Sequence, residues 1–369
     1  MSRRLPLVEP HTREHTYCAY CPKLCRFACP VSTVQGRETT TPWGKMTSLH
    51  HVAEGNLEMD RSHAATWWAC TGCMRCRTFC NHGNEVAATL NAGRTEAVQS
   101  GTAPAAAYEV IDRQAEREDR AARAARERFG SDALTGDAAT VFVPGCTACA
   151  TAPDAAVDGW RATEALSGGG RVRVEADGCC GLPILEAGDR EGFARSARAF
   201  LDRLAGSNRV VFQDPGCLHA LRLIAPRSGI EHTLDLVHLT ELAAERLSAL
   251  RPLDVVGPVR WHDPCRLGRG LGVYDAPRAA LARMLDRAAG EFPQNRERAE
   301  CSGAGGQLPR TDPETAQAIA ADRLEAHRDH GGGTVVTGCP GAVRALRAAA
   351  GDGTEVLDVA TLLARSTAR

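Results

Sequence analysis

Arg209-Val210-Val211-Phe212-Gln213-Asp214-Pro215-Gly216-Cys217 is a short β-branched and aromatic run that breaks at Pro-Gly and delivers a cysteine just past its end. A run of this length bounded by turn residues reads as a strand, and Leu218-His219-Ala220-Leu221-Arg222 behind it reads as the start of a helix. The pattern recurs. Thr140-Val141-Phe142-Val143 ends in Pro144-Gly145-Cys146, and Arg171-Val172-Arg173-Val174 leads to Cys179-Cys180-Gly181. Further on, Pro258-Val259-Arg260-Trp261 leads to Asp263-Pro264-Cys265. Thr334-Val335-Val336 leads to Gly338-Cys339, with Val343-Arg344-Ala345-Leu346-Arg347 as the following helix. Cys146 to Cys179 spans 33 positions and Cys265 to Cys301 spans 36, while Cys179 to Cys217 and Cys301 to Cys339 both span 38. Helical stretches such as Arg190 to Leu204 lie between the strands. The pattern predicts a duplicated α/β domain with a largely parallel sheet in each copy. Each cysteine falls at or just after a strand end, the edge at which open α/β sheets bind ligands. Two such edges facing one another would form one cleft.

The chain has 16 cysteines, and the other eight lie upstream in two tight groups. A disulfide framework belongs to small secreted domains without a sufficient core, and this chain of 369 residues is large enough to build one. Clustered cysteines in a reducing compartment point to metal or redox chemistry. The first group is Cys18-x2-Cys21-x3-Cys25-x3-Cys29-Pro30, and the second is Cys70-x2-Cys73-x2-Cys76-x3-Cys80. The second matches the bacterial ferredoxin run, in which three thiolates come from one stretch and the fourth from the other group. Cys18, Cys21, Cys25 and Cys80 are therefore assigned to one [4Fe–4S] cubane, and Cys70, Cys73, Cys76 and Cys29 to the other. The first group carries one extra residue between its second and third cysteines, and Asn81 stands where proline usually follows the last cysteine. A structural or regulatory zinc protein is the alternative, although zinc sites usually pair two C-x2-C hairpins across a longer loop.

Thr41 to Ala69 reads as helical, with Leu49, Val52, Ala53 and Leu57 on one face, so the cubane region is expected to be an α-helical ferredoxin domain. His11, His15, His50, His51, His63 and His82 read as surface or capping residues. Ala107 to Phe129 reads as a solvated, charge-paired linker helix ending at Gly130. Segments 1–105, 106–138, 139–252 and 253–369 are thus expected to be the ferredoxin domain, the linker and the two repeats. Gly168 to Gly170 and Gly331 to Gly333 read as helix ends and turns, and Gly303-Ala304-Gly305-Gly306 lacks the spacing of a dinucleotide fingerprint. Net charge is −1, which gives no pull toward nucleic acid. Lysine occurs only at Lys23 and Lys45, which reads as a genomic preference for arginine. Met1 to His15 has no apolar run of the secretory kind, and no stretch is apolar for long enough to span a membrane, so a cytoplasmic location is expected.

Cys179-Cys180-Gly181 with Cys146 and Cys217 resembles the CCG cysteine-rich domain of heterodisulfide reductases, to which subunits of glycolate and lactate oxidation complexes are related. His262-Asp263-Pro264-Cys265-Arg266-Leu267-Gly268-Arg269, Cys301-Ser302-Gly303-Ala304-Gly305-Gly306 and Thr337-Gly338-Cys339-Pro340 are similar to that family's second copy. The resemblance covers Cys18 to Arg347. It implies an iron–sulfur oxidoreductase subunit whose two cubanes feed a cysteine-ligated, non-cubane [4Fe–4S] site, or zinc, in the repeats. The implied metal-holding residues are Cys146, Cys149, Cys179, Cys180, Cys217, Cys265, Cys301 and Cys339, with Cys179 and Cys180 placed at the chemistry. His262, beside Cys265, could donate a proton at a cleft there, and the alternative is a structural histidine at a strand end. Ser302 departs from the paired cysteine, and neither Cys217 nor Cys339 has another cysteine three positions on, so the complete cluster is expected in the first repeat. The resemblance equally allows an electron-transfer subunit of a flavin-linked glycolate- or lactate-type dehydrogenase. No flavin or nicotinamide motif is present in the chain, so the expected partner is a flavoprotein or other redox subunit. The sequence does not name the substrate, and the resemblance allows a disulfide.

Overall fold

The repeated strand patterns form two four-stranded sheets in a computed structural model, which describes residues 5–368. The first holds β1 (Thr140–Val143), β2 (Val172–Val174), β3 (Arg209–Phe212) and β4 (Asp235–His238) in the order β2-β1-β3-β4. The second holds β5 (Val259–His262), β6 (Gly290–Glu291), β7 (Thr334–Thr337) and β8 (Val356–Asp358) in the order β6-β5-β7-β8. All pairs are parallel, with Phe142 opposite Val211 in one sheet and Trp261 opposite Val336 in the other. Parallel pairing requires long crossovers, and the helices between strands supply them. The fold is therefore a helical N-terminal region followed by two α/β repeats. Strands β4, β6 and β8 are additions to the sequence reading. Asp235-Leu236-Val237-His238 and Val356-Leu357-Asp358 are too short and mixed to be told from loop by pattern.

The chain divides into two compact units. The sheet unit comprises Ala115–Leu182, Phe193–Arg296 and Leu324–Arg369, and both repeats share its core, in which Phe142, Val211, Trp261 and Val336 are fully buried. The N-terminal unit runs to Gln114 and also takes Pro183–Gly192 and Glu297–Arg323. Compactness thus does not follow the linear segments. Each repeat contributes to the N-terminal unit a stretch at or behind its second cysteine position.

Two expected helices are broken. Thr41 to Ala69 forms helices Pro42–Ala53 and Arg61–Trp68. Gly55 in the left-handed region ends the first, where the Asn56 and Leu57 N–H groups both donate to the His51 carbonyl. Leu49 and Val52 are buried, but Leu57 is carried out to solvent. Ala107 to Phe129 likewise forms Ala105–Asp112 and Gln114–Phe129. The second of these is no solvated linker, since Ala121, Ala125 and Phe129 belong to the core of the sheet unit. Its alanine stripe is the apolar face, although its small side chains leave the helix polar on average.

Asp358 ends β8 and caps helix Val359–Thr367, accepting from the Ala360 N–H at 2.9 Å. Burial pushes its carboxyl up to about 7 despite that bond, with Gln213 and Arg347 opposing and Asp214 assisting. A raised carboxyl contributes stability that is present at low pH and lost as pH rises through about 7. Asp358→Asn keeps the cap and removes the charge. At pH 8 it is expected to raise stability by about 2–4 kcal/mol, with no gain near pH 4. Denaturant melts across that range check this, and a gain independent of pH would refute it.

Candidate functional site

Two groupings can be described among the upstream cysteines, and Cys25 of the first also bears on Cys76 of the second. Cys18 closes helix Thr12–Ala19, Cys21 and Cys25 lie in the turns beyond it, and the thiols that bear on Cys25 are Cys18, Cys80 and Cys21. Burial pushes Cys18 up to about 11 and Cys25 up to about 12, while the Asn84 amide, donating to Cys18 Sγ at 3.3 Å, pulls Cys18 back. The other set, Cys29, Cys70, Cys73 and Cys76, lines one cavity together with Lys45. Each loop holds one non-glycine residue in the left-handed region, Lys23 and Met74, which is conformational cost localised at the cysteine turns.

The second set carries a direct sign that it suits an anionic cluster. Lys45 is 1% exposed, and its ammonium donates to Cys29 Sγ at 3.4 Å. Burial alone would discharge it, but Cys29, Cys70 and Cys76 outweigh the burial and hold it above its ordinary value. A buried cation with sulfur for its partner fits a thiolate-bound iron–sulfur core.

This loop is held from three directions. Gly306 lies in the left-handed region, and a Cβ there would stand 2.0 Å from the Cys70 carbonyl oxygen. The glycine-rich segment 303–306 is therefore a close backbone approach to the cysteine loop. Arg94, 2% exposed, donates to the carbonyls of Trp67, Cys70, Glu186 and Gly306. Arg75 donates to the carbonyls of Arg298 and Ala28. Sequence reasoning singles out neither arginine, because buried arginine leaves no pattern of its own.

Two of the histidines read as surface residues are in fact core. His15 and His50 are buried with Nδ1 atoms 3.0 Å apart, and burial lowers both from the ordinary histidine value. Such a contact needs one ring to donate and the other to accept, which requires at least one of them neutral.

In the sheet unit, Cys146, Cys179, Cys180 and Cys217 line one small cavity at the strand ends. Their thiols form a hydrogen-bonded row. Cys179 is pushed well below the ordinary thiol value by bonds accepted from Cys146 and Cys180, against its burial, and Arg117 adds to that. Cys146 and Cys180 are pushed up, each by donating to Cys179 and by burial. Gly145 makes the row possible. It is left-handed at φ 85°, and a Cβ there would lie 2.8 Å from Asp214 Cβ and 3.4 Å from Cys217 Sγ. Arg117, on helix Gln114–Phe129, keeps Nε and Nη2 buried without a protein acceptor. An anionic group held by the thiols would answer both.

Cys149 is buried on helix Cys146–Thr151 and is pushed up to about 12 by burial, but it does not line the cavity. The two repeats meet most extensively through helix Pro153–Leu166 on Val359–Thr367 and helix Leu239–Glu245 on Asp275–Leu285, and their cysteine-bearing ends also touch. Helix Cys146–Thr151 packs on helix Pro340–Ala350, and helix Pro215–His219 packs on the turn Arg266–Gly270. Cys265 and Cys339 stand at those junctions, half-buried. Cys301 and Ser302 belong to the N-terminal unit, both buried, with the Gly303 N–H donating to Cys301 Sγ at 3.3 Å. His262 is 2% exposed and packs edge-on against Phe292. Its neighbour Asp263 is held below the usual carboxylate range, against its burial, by a bidentate Arg278 at 2.8 Å. Among the described residues no helix is long and apolar enough to cross a membrane.

The chain matches the 4Fe-4S dicluster domain over residues 14–84 and the cysteine-rich CCG domain twice, over residues 140–222 and 259–346. It is 27% identical over 291 residues to a subunit of the dihydromethanophenazine:CoB--CoM heterodisulfide reductase of Methanosarcina barkeri, covering 73% of this chain and 70% of that protein. The corresponding protein of Methanosarcina mazei is 26% identical, over 69% of this chain and 66% of its own length. A subunit of the fumarate reductase (CoM/CoB) of Methanothermobacter marburgensis is 29% identical over 44% of this chain and 32% of that protein.

Proposed function

We propose that this chain, which is a heterodisulfide reductase-like iron–sulfur protein, serves as the disulfide-reducing subunit of a larger redox complex. Cys18, Cys21, Cys25 and Cys80 would hold one cubane, and Cys29, Cys70, Cys73 and Cys76 the other. Cys146, Cys179, Cys180 and Cys217 would hold a third, non-cubane [4Fe–4S] cluster. When bound, these clusters supply electrons one at a time. Reducing a disulfide takes two electrons and two protons and releases two thiols, so a subunit with several one-electron centres suits the stoichiometry.

The observation that carries this reading is the row of four sulfurs beside Arg117, with Cys179, Cys180 and Cys217 buried and Cys146 half-buried. Cys146, Cys179, Cys180 and Cys217 would supply the thiolates that hold the cluster, and the half-buried Arg117 guanidinium would offset its negative charge. The chain's residues would then keep water out and hold the thiolates in register. A flavoprotein or other redox subunit is the proposed electron donor. The competing reading is an electron relay for a flavin-linked hydroxy-acid dehydrogenase, in which the repeats turn over no substrate. Ser302 is the residue that favours it, because serine is a poor iron ligand beside thiolate.

Iron and acid-labile sulfide per chain, with electron paramagnetic resonance of reduced and oxidised anaerobic protein, separate the two. About twelve irons and a third signal are expected, together with thiol release from a disulfide when the chain is given a reductant. About eight irons with cubane signals alone would replace this reading with the relay.

A further inference from the structure

The two cysteine sets of the N-terminal unit differ in what faces their sulfur. At Cys18 the donor is the neutral Asn84 amide, at 3.3 Å. At Cys29 it is the Lys45 ammonium, at 3.4 Å, in a side chain that is 1% exposed. Lys45 stands on helix Pro42–Ala53, which begins at the Thr41 cap and runs alongside the cysteine cavity, so its place is fixed by a regular element. Its one hydrogen bond among the described residues is to Cys29 Sγ, and it makes no ion pair with a carboxylate there. A buried ammonium without a carboxylate is costly unless another anion answers it. The chain otherwise uses arginine almost throughout, and its other lysine, Lys23, is half-exposed over the Trp43 ring and beside Glu38. The second lysine is therefore placed where a compact point charge, and not a planar fork, meets a cluster ligand.

We propose that Lys45 is the resident countercharge of the cubane held by Cys29, Cys70, Cys73 and Cys76, and that it holds this cubane's reduction potential up. A cubane with four thiolates is anionic in both redox states and more so when reduced. Burial disfavours the more highly charged form and so lowers the potential. A fixed cation at one ligand sulfur favours that form and offsets the burial, as does a hydrogen bond to the sulfur. Lys45 acts through Cys29, so it is a positioning and tuning residue. The Asn84-bonded set has a neutral donor in that place, which makes the two cubanes electrostatically unequal. The inference rests on the sorting of cysteines proposed above.

The test is a redox titration of intact, iron-loaded protein followed by electron paramagnetic resonance, on the wild type, Lys45→Met and Lys45→Gln. Lysine to methionine keeps the apolar stem and removes the charge, and glutamine restores a neutral donor. One cubane signal is expected to move to lower potential by at least about tenfold in its reduced-to-oxidised ratio, which is about 59 mV for one electron, in Lys45→Met. Lys45→Gln is expected to move it less, and the other cubane is expected to stay put. Both signals unmoved, both moved alike, or iron lost from both variants would overturn the proposal, because a tuning residue is not needed to retain the cluster. Cys29→Ser separates the two layers of the argument. If it alters the same signal that Lys45→Met shifts, the sorting stands. If it alters the other signal, the sorting fails while the shift still assigns Lys45 to a cubane.

Discussion

Cys180→Ser is expected to take the chain from about twelve irons to about eight while leaving both cubane signals intact. Thiol release from a disulfide is expected to fall to background in the same variant. The reasoning starts from the row of sulfurs, in which Cys180 donates to Cys179 and to Cys217. It is a central member, so its loss breaks the row into a pair and a single. Serine has nearly the same shape, but its hydroxyl must lose a proton before it ligates iron, and it is hard where thiolate is soft. Folding is not at issue, because a buried serine here has Cys179 and Cys217 sulfurs as hydrogen-bond partners. Cys149→Ser is the matched control. It removes a cysteine equally buried that does not line the cavity, and it should leave the iron count unchanged. If Cys180→Ser retains about twelve irons, the third cluster does not depend on the row and the proposed site is wrong.

The substitution also rebuilds in the first repeat what the second already contains. Cys301-Ser302 stands where Cys179-Cys180 stands, at matching distances from the final cysteine of each copy. Duplication made two strand-end edges that differ in their sulfurs, four lining a cavity in the first and Ser302 standing beside Cys301 in the second. In the second copy the same shape serves other ends. Asp263, two residues before Cys265, accepts from Arg278, from Trp261 Nε1 at 3.0 Å and from the Arg296 N–H at 2.8 Å. That is a buried, fully partnered carboxylate that fixes the turn after β5. The second repeat thereby completes the core around the first.

Much of this is legible in the sequence because the signals are local. Strands β1, β3, β5 and β7 are short apolar runs that stop at Pro, Gly or Cys, and their pattern places each within a residue or so of its true bounds. Helix Arg190–Leu204 is legible to the residue, since its charged and apolar positions alternate at helical spacing. The cubane motifs are legible for the same reason, a fixed count of residues between ligands. What the sequence hides is non-local. Nothing in Pro183–Gly192 or Glu297–Arg323 says that these stretches leave their repeats for the N-terminal unit. The glycines of 303–306 look like an empty motif because their partner, the Cys70-Thr71 backbone, lies more than two hundred residues away. Buried cations are equally invisible. Lys45, Arg94 and Arg117 leave no pattern of their own in their helices, and only the fold reveals that each one faces inward.

Arg94→Met is therefore expected to be the most damaging single change in the N-terminal unit outside the cysteines. Its guanidinium serves four carbonyls at 2.7–3.3 Å, on Trp67, Cys70, Glu186 and Gly306. Those carbonyls come from three separate stretches of chain, so the side chain is what joins them. The Glu186 carboxylate adds a second tie by accepting from the Gly306 N–H at 3.1 Å. Methionine fills much of the space and packs against the Trp68 ring, over which the guanidinium now lies. It offers no donor, and a buried carbonyl left without one costs about 1–3 kcal/mol. Several carbonyls relax together, so the expected loss is about 3–5 kcal/mol and not the full sum. Because the chain has two units, the loss should appear as selective weakening of one of them. Hydrogen exchange should accelerate in helix Val86–Gln99 and in the Cys70 loop, while β1, β3, β5 and β7 keep their protection. The cubane at Cys29, Cys70, Cys73 and Cys76 should become labile to chelators, since the carbonyl of one ligand residue loses its anchor. Arg94→Lys discriminates charge from geometry. An ammonium reaches one or two of the four carbonyls, so it should recover only part of the protection. Full recovery by lysine would mean that a buried positive charge, and not the fork of hydrogen bonds, is what the unit requires.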